Sequence, residues 1–242
     1  MTALLEVSGL TKRFGGLVAV REAAFSVNRG EIMGLLGPNG SGKTTTMNLI
    51  SGNLKPDTGA VKLEGRDIAG HRPHTIARGG IARTFQLVRV IGDMSARENV
   101  VAGFAFRQNP LWGFAAKAEA ESLLARVGLG GRGGVLAAEL TYVDQKRLEL
   151  ARALALSPRL LLLDEWLAGL NPTELRVGIE LIASLRDSGI TILLVEHVME
   201  AVRALCGRCI VMTAGTRIAE GPTAEVLGHP DVIRAYLGDG HA

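Results

Sequence analysis

The stretch GPNGSGKTT, from Gly37 to Thr45, restricts this chain more than any other. It matches G-x-x-x-x-G-K-[ST], with Gly37, Gly42, Lys43 and Thr44 in the fixed places. The apolar run IMGLL precedes it, and KTTTMNLIS reads as a helix after it. A strand, a glycine-rich turn and a helix N-terminus in that order form a cradle for an anion. Glycines let backbone N–H groups converge without side-chain obstruction, and the helix dipole favours negative charge. Asn39, Gly40, Ser41 and Thr45 complete the loop expected to surround phosphate groups. Lys43 is placed to neutralise the outer phosphates, and Thr44 to offer its hydroxyl to Mg²⁺. The bland alternative is a turn that matches by chance, and the flanking strand and helix argue against it.

A triphosphate cradle that does chemistry needs an acidic partner, and LLLLDE supplies one. Asp164, at the end of a buried strand, is expected to reach the shell of Mg²⁺. Glu165 is expected to orient and deprotonate the attacking water. Taken alone, an acidic strand end could equally be a cap. Gln86 follows GIARTF and His197 follows TILLVE, so both are expected at the carboxyl edge of a parallel sheet, where ligands bind. Gln86 could touch Mg²⁺ or the water, and His197 the γ-phosphate.

The rest of the chain supports that sheet. Apolar strands alternate with helices after Pro158: RLLLLD, PTELRVGIELIASLRDSG, ITILLVE, VMEAVRALCG, then the hairpin RCIVMTAGTRIAEG. Such continuous apolar strands indicate a buried parallel sheet. The N-terminal strands ALLEVSGL, LVAVREAAFSV and GAVKLEG, joined by tight turns, indicate an antiparallel β subdomain. ARENVVAGF, AAKAEAESLLARVG and QKRLELARALAL carry apolar residues at helical spacing. The expected fold is therefore α/β: a P-loop core with a mostly parallel sheet, an N-terminal antiparallel subdomain and an inserted helical subdomain. Residues 1–86 and 158–242 would form the core with its β subdomain, and 87–157 the helical insert.

Composition excludes some alternatives. Aromatics are only 4% of 242 residues, and no block of like charge accompanies the net charge of +3, so a nucleic-acid partner is not expected. No signal-peptide pattern opens the chain, and the apolar runs are too short to span a bilayer. A cytoplasmic protein is expected. Cys206 and Cys209 stand C-x-x-C, a redox or metal half-site in one reading. In the other they are small apolar residues at a helix–strand junction, which the absence of a second pair at zinc spacing favours.

GPNGSGKTT, Gln86, LTYVDQKRLELARALA, LLLLDE, AGLNP and LLVEH follow the order of an ABC-transporter ATP-binding subunit, which nearly the whole chain resembles. LTKRFGGLVAV, ARTFQ, AGLNPTE and HPDVIRAYLG resemble the branched-chain amino-acid importers most closely. The resemblance implies an ATPase that powers a membrane importer, with ATP and Mg²⁺ as ligands. It implies that Phe14 stacks on adenine, Gln86 is the Q-loop residue, Asp164 and Glu165 are the Walker B pair, Ala168 to Asn171 the D-loop and His197 the switch histidine. Phe14 could instead be an ordinary core residue. Two such subunits would sandwich two ATP molecules, each loop facing Thr141, Val143 and Gln145 of the other's signature helix. Permeases would dock near LVRVIGDMSARENV on the inner face of the plasma membrane, and a substrate-binding protein would act through them.

Two departures from the family pattern stand out. The signature is commonly LSGGQ, and often LSYGEQ in this branch, whereas here Val143 replaces the last glycine. A β-branched side chain there is expected to weaken the contact with the partner's γ-phosphate without abolishing it. Thr141-x-x-Asp144 reads as a capping box that would preserve the helix start, while Asp144 brings negative charge towards a triphosphate. Trp166 stands where the family usually has Pro, as a buried aromatic or as a residue reshaping the D-loop path. A nucleotide-gated, weakly hydrolysing cassette and the ATPase of a lipid or lipopolysaccharide exporter are the rival functions.

Overall fold

The computed structural model describes residues 2–237. It forms two compact units: Met1–Pro73 with Leu162–Ala242, and His74–Leu161. In chain order the first unit opens with β1 (Ala3–Phe14), β2 (Leu17–Asn28), β3 (Ile32–Leu36), α1 (Lys43–Ile50), β4 (Thr58–Leu63) and β5 (Arg66–Asp67). Helix α2 (Pro73–Arg78) leads into the second unit, with β6 (Ile81–Arg83), α3 (Ala96–Phe104), α4 (Gly113–Arg126) and α5 (Tyr142–Ala155). Strand β7 (Leu160–Asp164) leads back to α6 (Pro172–Asp187), β8 (Thr191–Val195), α7 (Met199–Leu205), β9 (Arg208–Thr213), β10 (Thr216–Pro222), α8 (Thr223–Leu227) and α9 (Pro230–Leu237).

The first unit holds two sheets. One is antiparallel, ordered β2-β1-β4-β5, with Phe14 and Leu17 paired across the Gly15–Gly16 turn. Its β1 alternates, burying Leu5 and Val7 and exposing Glu6, as a one-faced sheet requires. The other runs β10-β9-β3-β8-β7, with β3 parallel to both β8 and β9. Every residue of β3, β7 and β8 is buried, the mark of strands covered on both faces. This parallel arrangement brings the loops after β3, β7 and β8 to one edge. Helix α6 starts where Asn171 caps the N–H groups of Thr173 and Glu174, Glu174 returns the bond to Asn171 N–H, and Pro172 occupies the first turn.

Cys209 in β9 lies opposite Gly34 in β3, and a Cβ on Gly34 would come within 3.1 Å of the Cys209 Cβ and 3.3 Å of the Cys206 sulfur. Both thiols are buried and unbridged, and burial pushes that of Cys206 up to about 12. A thiol so held is an inert packing group, which is the junction reading of the C-x-x-C pair. Trp166 is buried as well, beside Gly178 of α6.

In the second unit α3, α4 and α5 pack on one another, and the N–H groups of Arg159 and Leu160 donate to the Gly80 carbonyl beside β6. Ser95 and Glu98 cap α3 reciprocally. Gly103 makes the α3–α5 approach possible, since a Cβ there would lie 2.9 Å from that of Ala155. Among the described residues, no helix is long and apolar enough to cross a membrane.

Candidate functional site

The loop after β3 is shaped by close backbone approach. A Cβ on Gly37 would lie 2.1 Å from the Met212 carbonyl oxygen, and one on Gly42 2.5 Å from that of Ala19. Both have positive φ, 140° and 101°, so glycine is required there on two counts. Gly42 also caps α1, and having no side chain it leaves the first-turn N–H groups without a side-chain acceptor. That bare helix start, with no acid in its first turn, suits a ligand anion. Asn39, Gly40 and Thr44 are exposed, Thr45 is half-buried and Ser41 is buried.

Lys43 is folded back over this loop. Its Nζ donates to the carbonyls of Gly37 at 2.7 Å and Pro38 at 2.9 Å, with Ser41 Oγ at 3.5 Å. Burial lowers the pKa of the amine, while the charges of Glu165 and Asp164 pull it back up. The cation and the two carboxylates thus share one electrostatic neighbourhood.

Asp164 ends β7 and is buried. Glu165 follows with φ 51°, a left-handed conformation that non-glycine residues seldom adopt. Its N–H donates to the Val195 carbonyl at 2.8 Å, which holds the residue to the end of β8. From that end, exposed His197 places Nδ1 3.8 Å from Glu165 Oε1. Glu196, between them, accepts from the Leu167 N–H at 2.6 Å and so braces the segment after Trp166. The oxygen donors here, the exposed Thr44 hydroxyl and the Asp164 carboxylate, form a hard set that suits Mg²⁺ rather than a soft metal. Phe14 is 47% exposed at the end of β1, with Lys12 Nζ 5.7 Å from its ring centroid, so it is not a core residue.

Gln86, Thr141, Val143 and Gln145 belong to the second unit. Gln86 is exposed just beyond β6. Thr141 caps α5, its Oγ1 accepting from the Asp144 N–H at 3.2 Å. The reciprocal half of the expected capping box is absent: the Asp144 carboxylate accepts from the Thr141 hydroxyl at 3.0 Å instead. The same carboxylate is also held by Arg132 and by Arg147, the latter at 3.3 Å. An aspartate is one methylene short for the box, and two guanidiniums engage it. The negative charge expected near the phosphate is therefore compensated within the unit. Half-buried Val143 occupies the first turn, and Gln145 Nε2 donates to the Ala137 and Leu140 carbonyls, closing the turn below.

One buried acid went unnoticed in the sequence. Glu149, on the inward face of α5, accepts from the Arg89 N–H at 3.1 Å, in the segment that follows Gln86. Arg152 adds a bond to the Arg89 carbonyl. Burial raises the Glu149 carboxyl to about 7 against the pull of backbone N–H groups at Arg89 and Phe85. A carboxylate interrupting the apolar stripe of a helix is the signal that could have found it.

A glycine cradle, a buried lysine and an acidic strand end follow the pattern of a P-loop. Comparison with known families agrees: residues 20–168 match the model described as "ABC transporter", and residues 216–242 match "Branched-chain amino acid ATP-binding cassette transporter". The high-affinity branched-chain amino acid transport ATP-binding protein LivG of Salmonella typhimurium is 42% identical over 98% of both chains. The lipopolysaccharide export system ATP-binding protein LptB of Acidithiobacillus ferridurans is 36% identical over 99% of this chain and 98% of its own. A solved ABC-transporter cassette in its ADP conformation superposes with TM-score 0.88 at 30% identity, covering 99% of this chain and all of that one. The chain belongs to the ABC transporter ATP-binding cassettes, the family of transporter subunits that bind nucleotide and hydrolyse ATP to drive transport.

Proposed function

We propose that this chain is the ATP-hydrolysing subunit of a branched-chain amino-acid-type importer. The observation that carries the reading is the shared neighbourhood of Lys43, Asp164 and Glu165 beside the glycine cradle. Backbone N–H groups from Asn39 to Thr45 and the start of α1 bind the phosphates of ATP, and Lys43 offsets their charge. Thr44 and Asp164 would hold Mg²⁺, which when bound neutralises charge on the outer phosphates. Glu165 orients the attacking water and takes its proton. His197, 3.8 Å from that carboxylate, hydrogen-bonds the γ-phosphate and helps fix the Glu165 side chain. Phe14, exposed on β1, offers an apolar face to adenine.

Two cassettes act together, homo- or heterodimeric, with Thr141, Val143 and Gln145 of each completing the other's site. Permease subunits hold the pair on the inner face of the plasma membrane, and a substrate-binding protein delivers the cargo to them. Residues 87–157 serve as the helical subdomain that couples to those permeases.

The match of the C-terminal stretch to the branched-chain family and the 42% identity to LivG support this cargo class. The test is reconstitution with permeases from the same operon: hydrolysis should rise when the binding protein carries leucine, isoleucine or valine. Stimulation by a lipid-exporting permease instead would favour the exporter reading, which draws on the 36% identity to LptB.

A further inference from the structure

Gly37, where β3 gives way to the phosphate loop, is held on both sides. Its carbonyl accepts from Lys43 Nζ at 2.7 Å, and its N–H donates to the Tyr236 hydroxyl at 2.8 Å, across 199 residues of chain. We propose that Tyr236 is a positioning residue of the nucleotide site, through which the seating of α9 sets the phosphate loop. The inference rests on the reading of residues 37–45 as the ATP cradle.

The loop needs a clamp from outside. The pairing of β3 with β9 ends at Leu36 and Val211, so the Gly37 N–H falls beyond the ladder. Gly37 has no side chain to lock it, and its φ of 140° lies where no other residue is at ease. The phenol oxygen supplies the acceptor that the sheet does not. Helix α9 is built to deliver it. Val232 is buried, and Tyr236 follows four residues later, on the same helix face. Val232 seats the helix, and the tyrosine, 39% exposed as a residue, reaches the loop with its hydroxyl. Burial also raises the phenol pKa, which keeps the hydroxyl neutral. Because the other end of the Gly37 residue holds the Lys43 ammonium, a shift at Tyr236 is felt by the cation that meets the phosphates.

The experiment compares the full chain with Tyr236→Phe, which keeps the ring and removes the acceptor. Calorimetry with Mg-ADP and amide hydrogen exchange at Gly37 are the readouts. Loss of one hydrogen bond predicts a roughly three- to tenfold rise in Kd and faster exchange at Gly37. The KM for ATP should rise by the same factor with kcat unchanged, a split that general unfolding does not produce. Arg234→Ala, at an exposed ion pair on the same helix, should change neither readout. A Kd for Tyr236→Phe within a factor of about two of the parent overturns the proposal. If the parent itself binds no Mg-ADP, the reading of the cradle falls, and Gly37 exchange alone decides whether Tyr236 holds the loop.

Discussion

Glu149 accepts the Arg89 N–H at 3.1 Å from inside the second unit, so a buried acid of α5 anchors the segment that follows Gln86. Its carboxyl group titrates near 7 when folded and near 4.5 as the unperturbed reference. Below pH 4.5 both states are protonated and the native state keeps the full benefit of a neutral buried group. As pH rises towards 7 the unfolded chain loses its proton first, and that benefit is lost. The expected cost at pH 8 relative to pH 4 is on the order of 3 kcal/mol at this position. Glu149→Gln should remove that slope. Urea denaturation of both proteins across this range checks it: the gap between them should move in the variant's favour as pH rises.

Glu165→Gln keeps the side-chain volume and removes the proposed base. ATP binding should persist while phosphate release falls by a hundredfold or more, in keeping with the usual contribution of a general base, about 10²–10⁴. Calorimetry and a phosphate-release assay on one preparation separate the two effects.

Val143 sits in the first turn of α5 and brings a branched side chain to the backbone proposed to meet the partner's nucleotide. Val143→Gly should raise hydrolysis roughly tenfold, the value of one charge-assisted hydrogen bond at the low end. The same change should cost up to about 1 kcal/mol of helix stability, too little to mask the gain. Steady-state turnover of the chain with its partner cassette, parent against variant, is the measurement. Equal rates would remove Val143 from the account.

Gly37→Ala places a methyl group 2.1 Å from the Met212 carbonyl oxygen, which belongs to a sheet strand and cannot yield. Backbone strain of about 1–3 kcal/mol adds to the clash. Mg-nucleotide affinity should drop at least about tenfold, while the far-UV circular dichroism spectrum stays that of the parent. Titration calorimetry with the spectrum as control tests both halves.

Much of this site was legible in the sequence because its logic is local. The fixed spacing of Gly37, Gly42, Lys43 and Thr44 carries its own geometry, and four leucines before Asp164 identify a buried strand wherever they occur. Legibility stopped where side chains from distant segments meet. The charge of Asp144 looked exposed to phosphate until Arg132 and Arg147 were seen to hold it. Thr141 was readable as a cap, but its reciprocal partner was not, because that choice depends on which neighbours compete for the carboxylate. Trp166 could be placed only by its packing near Gly178, and Phe14 only by its exposure. HPDVIRAYLG carried a family resemblance without announcing the contact between Tyr236 and Gly37, and its last residue, Gly238, lies outside the described residues.

The Glu165 N–H is fastened to the Val195 oxygen, two positions ahead of His197. Acid and imidazole are therefore mounted on a single hinge plate. A displacement of the tip of β8 would therefore bear on both members of the proposed pair at once.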